Sequence, residues 1–245
     1  MRMQLQNLSD NPRVRSYRRL ALMRGFTLIE ILVVLAIIGI LLGVGVGAIK
    51  NIASSKGVST AVPLAENIFS QARQVARASG APTRVAIYSD SNGSGQDVEN
   101  RYLRMIGVVT GRDASGNPVL EGQAVSRWQF ISKPVTLPRG AYFNDSLSSH
   151  SGTDSAIFPG SSAAQPCFVY EFNSEGALIE ATDNGSGDPI DDGAFVLQAG
   201  KFTPPATVRE DNNAKFDVGG FRIFRNGRIA TYQNPDQIVD DVPTF

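Results

Sequence analysis

The sequence predicts an α+β fold in which a long N-terminal helix, membrane-spanning in its first half and amphipathic in its second, packs on a C-terminal antiparallel β-sheet domain. Three features carry that prediction. The 24 residues from Phe26 to Ile49 hold one charge, Glu30. From Val58 to Ala76 apolar residues recur every three or four positions. Beyond Pro82 the chain breaks into short runs rich in Val, Ile, Phe and Tyr, separated by Gly, Ser, Asn and Asp.

The apolar segment comes first. As a helix rising about 1.5 Å per residue it is roughly 36 Å long, enough to span a bilayer over about residues 26–49. No small-residue cleavage site follows it, so it is not a cleavable secretory core. Five Arg between Arg13 and Arg24 precede it and only Lys50 and Lys56 closely follow. This bias keeps the N-terminus cytoplasmic and puts the remainder on the other side of the membrane. Glu30 is then a carboxylate in hydrocarbon, at a cost of about 2–3 kcal/mol on insertion scales, and needs a partner, a proton or a route to the interface. Gly39, Gly43 and Gly47 recur every four residues and line one helix face, a pattern that favours helix association in lipid; glycine is also simply frequent in membrane helices.

The second half of the helix shows one apolar stripe: Val58, Ala61, Val62, Ala65, Ile68, Phe69, Ala72, Val75 and Ala76. Pro63 is expected to kink it or loosen one hydrogen bond, and Gly80-Ala81-Pro82 to end it, which places the helix at 26–80. A β-rich domain at 81–245 follows. Its expected strands are Thr83 to Ser89, Arg101 to Thr110, Val125 to Ser132, Ala141 to Phe143, Ala156 to Phe158, Cys167 to Asn173, Ala177 to Ala181, Ala194 to Ala199, Phe221 to Arg225 and Arg228 to Tyr232. Turns are expected at Asn173-Ser174-Glu175-Gly176 and at Asn226-Gly227, the latter a type I′ signal. Polar stretches at Asp90 to Asn100, Asn144 to Asp154 and Thr182 to Asp192 read as mobile loops.

Composition excludes several functions. The first 25 residues take six of the 23 basic and one of the 23 acidic side chains, so the remainder holds 17 against 22, a net charge of −5. Such a balance gives no bulk pull toward nucleic acid, and nucleic acid is not an expected partner. Arg222, Arg225 and Arg228, interleaved with Phe221 and Phe224, are nevertheless candidate DNA contacts. Cys167 is the sole cysteine and sits in an apolar run, which reads as a buried, inert thiol. His150 is the sole histidine and lies in the polar loop Ser148-Ser149-His150-Ser151, and there is no G-x-S-x-G elbow or phosphate loop, so the sequence reads as a non-enzyme with no cofactor and no histidine metal site. The acidic loop Asp183, Asp188, Asp191 and Asp192 fits no known calcium-loop spacing.

At the junction the sequence reads Met23-Arg24-Gly25-Phe26-Thr27-Leu28-Ile29-Glu30, followed by an uninterrupted apolar run. This resembles the type IV prepilin leader motif of type IV pilins and type II secretion pseudopilins. The resemblance implies a pilin-like fold, a leader at 1–25, cleavage by a prepilin peptidase between Gly25 and Phe26, and N-methylation of Phe26. It also implies that Glu30 meets the freed amine of Phe26 on the next subunit. In the second half, Thr136 to Phe143, Ile157-Phe158-Pro159-Gly160, Phe172 to Gly176 and Asn226-Gly227-Arg228-Ile229 resemble the H-type minor pseudopilin domain, which minor type IV pilins share. The implied protein is a minor pseudopilin of type II secretion, held in the bacterial inner membrane with its domain in the periplasm. The alternative is a minor type IV pilin of pilus priming or DNA uptake. Other pilins or pseudopilins, the prepilin peptidase, an inner-membrane assembly platform and membrane lipid are the implied partners.

Overall fold

A computed structural model describes residues 27–91, 96–203, 207–209, 218–232 and 237–238; for 41–56, 96–97 and 207–209 only the backbone is described. The chain divides into two units, Met1–Val46 and Gly47–Phe245. One helix, α1 (Leu28–Ser79), contributes to both. It continues through Pro63, whose ring lies on the exposed side. It stops at Gly80, which adopts φ +65° and donates its N–H to the Ala76 carbonyl at 2.9 Å, the left-handed cap that glycine takes without steric cost.

In the larger unit the chain continues through β1 (Thr83–Tyr88), α2 (Gln96–Arg101), β2 (Met105–Arg112), β3 (Arg127–Phe130), β4 (Val135–Thr136), β5 (Ala141–Phe143), β6 (Gly152–Ala156), β7 (Gln165–Phe172), β8 (Leu178–Ile179), β9 (Asp192–Ala199), β10 (Lys201–Thr203), β11 (Thr207–Arg209), β12 (Val218–Phe224) and β13 (Ile229–Thr231). Among the described residues these form a seven-stranded sheet ordered β3-β2-β1-β7-β6, with β4 on β2 and β8 on β7. A four-stranded sheet runs β13-β12-β9-β5, and β10 pairs with β11. Every pairing is antiparallel.

The predicted stripe on α1 is the one that packs. Val58, Ala61, Val62, Ala65, Ile68, Phe69, Ala72 and Ala76 are all buried, and only Val75 stays partly exposed. Phe69 is the centre of this core. Its ring lies 4.9 Å from Tyr170 and 6.4 Å from Phe172 on β7, 5.1 Å from Phe195 on β9 and 5.0 Å from Phe221 on β12. One side chain of the helix therefore holds both sheets, and its geometry is edge-to-face, as ring quadrupoles prefer. The large sheet has a second buried face. Alternation along β1 sends Val85 and Ile87 toward α1 and Ala86 and Tyr88 into a separate cluster with Val109, Phe158, Cys167 and Val169. This double burial explains why β1 and β7 read as continuous apolar runs.

Differences from the expected strands have local causes. The run expected from Arg101 begins only at Met105, because α2 occupies Gln96–Arg101 and Leu103 takes φ +53° to turn the chain into β2. The strand expected at Ala156 to Phe158 lies earlier, as β6 at Gly152–Ala156, since Phe158 leaves the sheet to pack its ring 5.1 Å from both Tyr88 and Phe130. The short strands β4, β10 and β11 carry too few residues for an alternation to show.

Two of the polar stretches read as mobile loops, Asn144 to Asp154 and Thr182 to Asp192, are tied to the domain instead. Arg84, the second residue of β1, is 2% exposed, with its guanidinium carbon 3.6 Å from the centre of the Trp128 ring. Its Nε donates to Glu171 Oε2 at 2.9 Å, a second nitrogen pairs with Asp154, and a third donates to the Thr182 carbonyl at 2.7 Å. The Thr182 N–H in turn donates to Glu171 Oε2 at 3.1 Å. Asn144 accepts from Leu147 N–H at 3.0 Å, and His150 Nε2 meets Asp145 Oδ1 at 2.9 Å. In Asn144 to Asp154 and Thr182 to Asp192 the fixed points are these polar groups, whereas in Asp90 to Asn100 the described part holds the buried Val98, and residues 92–95 lie outside the described residues.

Candidate functional site

Gly25 and Phe26, the expected cleavage and methylation residues, lie outside the described residues. The description begins at Thr27, which precedes the first helical residue and carries the signature of an N-cap. Glu30 N–H donates to Thr27 Oγ1 at 3.3 Å, while the Thr27 N–H and hydroxyl each donate to Glu30 Oε2 at 3.4 Å. This is a capping box, in which Thr and Glu three residues apart satisfy each other's backbone donors. Glu30 also lies in the first turn of α1, where the helix dipole favours a negative charge. The same carboxylate expected to receive a neighbour's amine thus closes its own helix end, a pattern legible as Thr27-x-x-Glu30 that the sequence reading passed over.

From Leu28 to Ile40 every large aliphatic side chain is exposed, from 83% at Leu28 to 45% at Ile38. Within this unit nothing described covers them, and a continuous apolar surface of this kind requires lipid or other chains around it. Gly39 has open space around it, so that face of the helix is free for close approach. Gly43 and Gly47 belong to α1, but their surroundings lie outside the described side chains. Among the described residues no helix is long and apolar enough to cross a membrane. The described side chains cover Thr27–Ile40 of the expected span.

At the other end of the sequence the three arginines of the last hairpin separate. Arg222 forms an ion pair with Asp192 at 2.7 Å and lies 5.5 Å from the Phe224 ring, and Arg225 pairs with Asp191 at 3.3 Å. Arg228 has no side-chain partner among the described residues and borders a cleft with Arg73 and Arg77 of α1. The turn also differs from the type I′ expectation, for Asn226 keeps a negative φ and only Gly227 is left-handed, at +72°. Gly227 N–H donates to the Phe224 carbonyl at 2.7 Å, and Phe224 N–H to the Arg228 carbonyl at 2.9 Å. That is a three-residue loop, a type I turn closed by a left-handed glycine. The loop Ser174-Glu175-Gly176 repeats it, with Gly176 at φ +76°, Gly176 N–H on the Asn173 carbonyl at 2.8 Å and Asn173 N–H on Ala177 at 3.1 Å. The two loops stack, since a methyl group on Gly227 would collide with the Gly176 carbonyl oxygen.

The remaining reactive groups have structural surroundings. Cys167 is buried and free, and burial pushes its thiol up to about 12, which leaves it protonated and inert. Asp191 and Asp192 are held by arginines, and among the described residues no three metal-ligating side chains converge. Burial pushes the Glu171 carboxyl up to about 7 against the opposing pull of Arg84. The Arg84 network was not foreseen; its one signal is an arginine inside the strand Thr83-Arg84-Val85-Ala86-Ile87-Tyr88.

Comparison with known proteins places this architecture. Residues 21–46 match the prokaryotic N-terminal methylation motif. A fimbrial protein of Neisseria meningitidis serogroup B is 30% identical over 145 residues, 51% of this chain and 82% of the relative. One from serogroup A is 31% identical over 142 residues, with the same coverage. No solved structure matches. The chain belongs to the type IV prepilin family, as a pilin or pseudopilin.

Proposed function

We propose that this chain is a minor pseudopilin of the type II secretion system, a structural and non-enzymatic subunit of a periplasmic pseudopilus. A prepilin peptidase cuts it between Gly25 and Phe26 and methylates Phe26, and the apolar segment from Phe26 to Ile49 holds it in the inner membrane until an assembly platform extracts it into the filament. The observation that carries the reading is the exposed apolar helix from Leu28 to Ile40 with its one carboxylate, Glu30, in the first turn. Lipid covers such a helix before assembly, and neighbouring helices cover it afterwards. A carboxylate there pairs with the terminal amine that cleavage releases, which sets axial register and rewards leaving the bilayer.

The choice of the secretion system is supported by the order of elements in the second half, where the segment Thr136 to Phe143, the Phe172 to Gly176 loop and the Asn226-Gly227 hairpin follow the H-type pattern. A second reading, a minor type IV pilin, is favoured by the fimbrial relatives. A deletion strain separates them. Lost export of folded enzymes with twitching intact supports the pseudopilin, and lost twitching or transformation with export intact supports the pilin. Mass spectrometry of the mature protein tests the processing step on its own, for an N-terminus upstream of Phe26 removes the basis of both readings.

A further inference from the structure

Arg73 and Arg77, one turn apart on α1, face the β12–β13 hairpin, where Gly227 and Arg228 complete an open cleft of about 290 Å³ that also includes Ser70 and Gln74. The two stems are brought together by glycine: a methyl group on Gly176 would lie 2.9 Å from side-chain carbons of both arginines, and one on Gly227 would lie 2.8 Å from Arg73 Nε. Arg73 Nε is buried without a hydrogen-bond partner. None of the three arginines has an ion-pair partner among the described residues. This sets them apart from Arg84, Arg222 and Arg225, each of which is paired with a carboxylate. Three like charges on elements some 150 positions apart in sequence repel one another, and the fold brings them together with a desolvated donor between them.

We infer that this cleft binds a phosphate-class oxyanion, either a free phosphate or phosphomonoester or the phosphate of a lipid headgroup. Planar guanidinium forks match tetrahedral oxyanions in bidentate geometry, and Ser70 and Gln74 supply neutral donors beside them. Arg77 alone could serve the carbonyls at the end of α1. That role requires neither Arg228 nor a buried Nε on Arg73. A nucleic-acid strand fits less well, because Asp192 and Asp191 neutralise Arg222 and Arg225 and leave no continuous basic track beyond the cleft. The inference is independent of which filament the subunit enters.

The test is titration of the full chain in neutral detergent micelles with inorganic phosphate against chloride at matched ionic strength, followed by calorimetry and by melting temperature. Saturable 1:1 binding and a raised melting temperature are expected. Arg73→Gln and Arg228→Gln each weaken phosphate by roughly tenfold or more, whereas Arg222→Gln, which breaks a pair outside the cleft, leaves binding unchanged. Circular dichroism without phosphate shows that each variant is folded. Phosphatidylglycerol vesicles that displace phosphate, where phosphatidylcholine vesicles do not, identify a headgroup as the source; failure to displace identifies a free phosphate. A response equal in wild type and in the folded Arg73→Gln/Arg228→Gln double variant overturns the inference, and so does binding of a DNA oligonucleotide without binding of phosphate.

Discussion

Thr27 and Glu30 close the N-terminal end of α1 on each other, with the threonine hydroxyl accepting from the Glu30 N–H at 3.3 Å and the glutamate accepting from the Thr27 N–H at 3.4 Å. Two roles of Glu30 can therefore be separated by mutation. Thr27→Ala removes the cap, at a cost of about 1 kcal/mol to the helix end, but keeps the carboxylate. It is expected to enter filaments nearly as well as wild type. Glu30→Ala removes the partner of the incoming amine and is expected to abolish incorporation while processing at Gly25 continues. Immunoblots of sheared filaments and of the membrane fraction read both outcomes, and equal losses in the two variants would reduce Glu30 to a cap.

The helix stripe was legible because helical periodicity in a half-buried helix records which side meets the core; Val58 to Ala76 departs from it only at Val75. The sheets were legible as strands but not as two layers. Nothing in the spacing of Tyr170, Phe195 and Phe221 says that all three meet on Phe69. The Arg84 network was hidden for a related reason, since its partners Asp154, Glu171 and Thr182 come from three other segments and a buried ion pair leaves no periodic trace. At the candidate site, the sequence pointed to Glu30 through its isolation in an apolar run. It grouped Arg222, Arg225 and Arg228 by proximity, and the hairpin sends Arg228 to a different neighbourhood from the other two.

Phe69 joins α1 to both sheets, so its truncation leaves a cavity that neither sheet can close alone. Phe69→Ala is expected to lower the stability of the full chain by about 3–5 kcal/mol, and Phe69→Leu by less than half of that. Denaturant melts followed by tryptophan fluorescence measure both, through Trp128 on the far face of the large sheet. A loss under about 1 kcal/mol for Phe69→Ala would show that the helix is not the element holding the sheets together.

Two glycines with nearly the same backbone angle give a controlled comparison. Gly122 has φ +83° and open space around it, whereas Gly227 has φ +72° and the Gly176 carbonyl against it. Gly122→Ala loses only the left-handed preference, about 1 kcal/mol. Gly227→Ala adds a collision with backbone and must part the two stacked loops, so a loss at least 1 kcal/mol larger is expected, on the order of other overpacked sites. Thermal melts of the two variants under identical conditions decide it, and equal losses would mean that the loops do not constrain each other.

Glu171 gives the domain a pH dependence of unusual sign. Its carboxyl is raised from 4.5 to about 7 in the folded protein, with burial outweighing Arg84 and the Thr182 N–H. Between those values the folded state holds a proton that the unfolded state has released, so stability falls as pH rises. The contribution is fully present below about 4.5 and is lost through about 7, with an amplitude on the order of 3 kcal/mol at most. Glu171→Gln keeps an acceptor for Arg84 Nε and for the Thr182 N–H but cannot titrate, so the difference in melting temperature between wild type and variant isolates this group from every other carboxyl. Wild type is expected to lose ground to Glu171→Gln steadily from pH 5 to pH 7.5. A difference that is flat, or that favours wild type as pH rises, would show that the ion pair with Arg84 outweighs desolvation and that Glu171 is charged throughout.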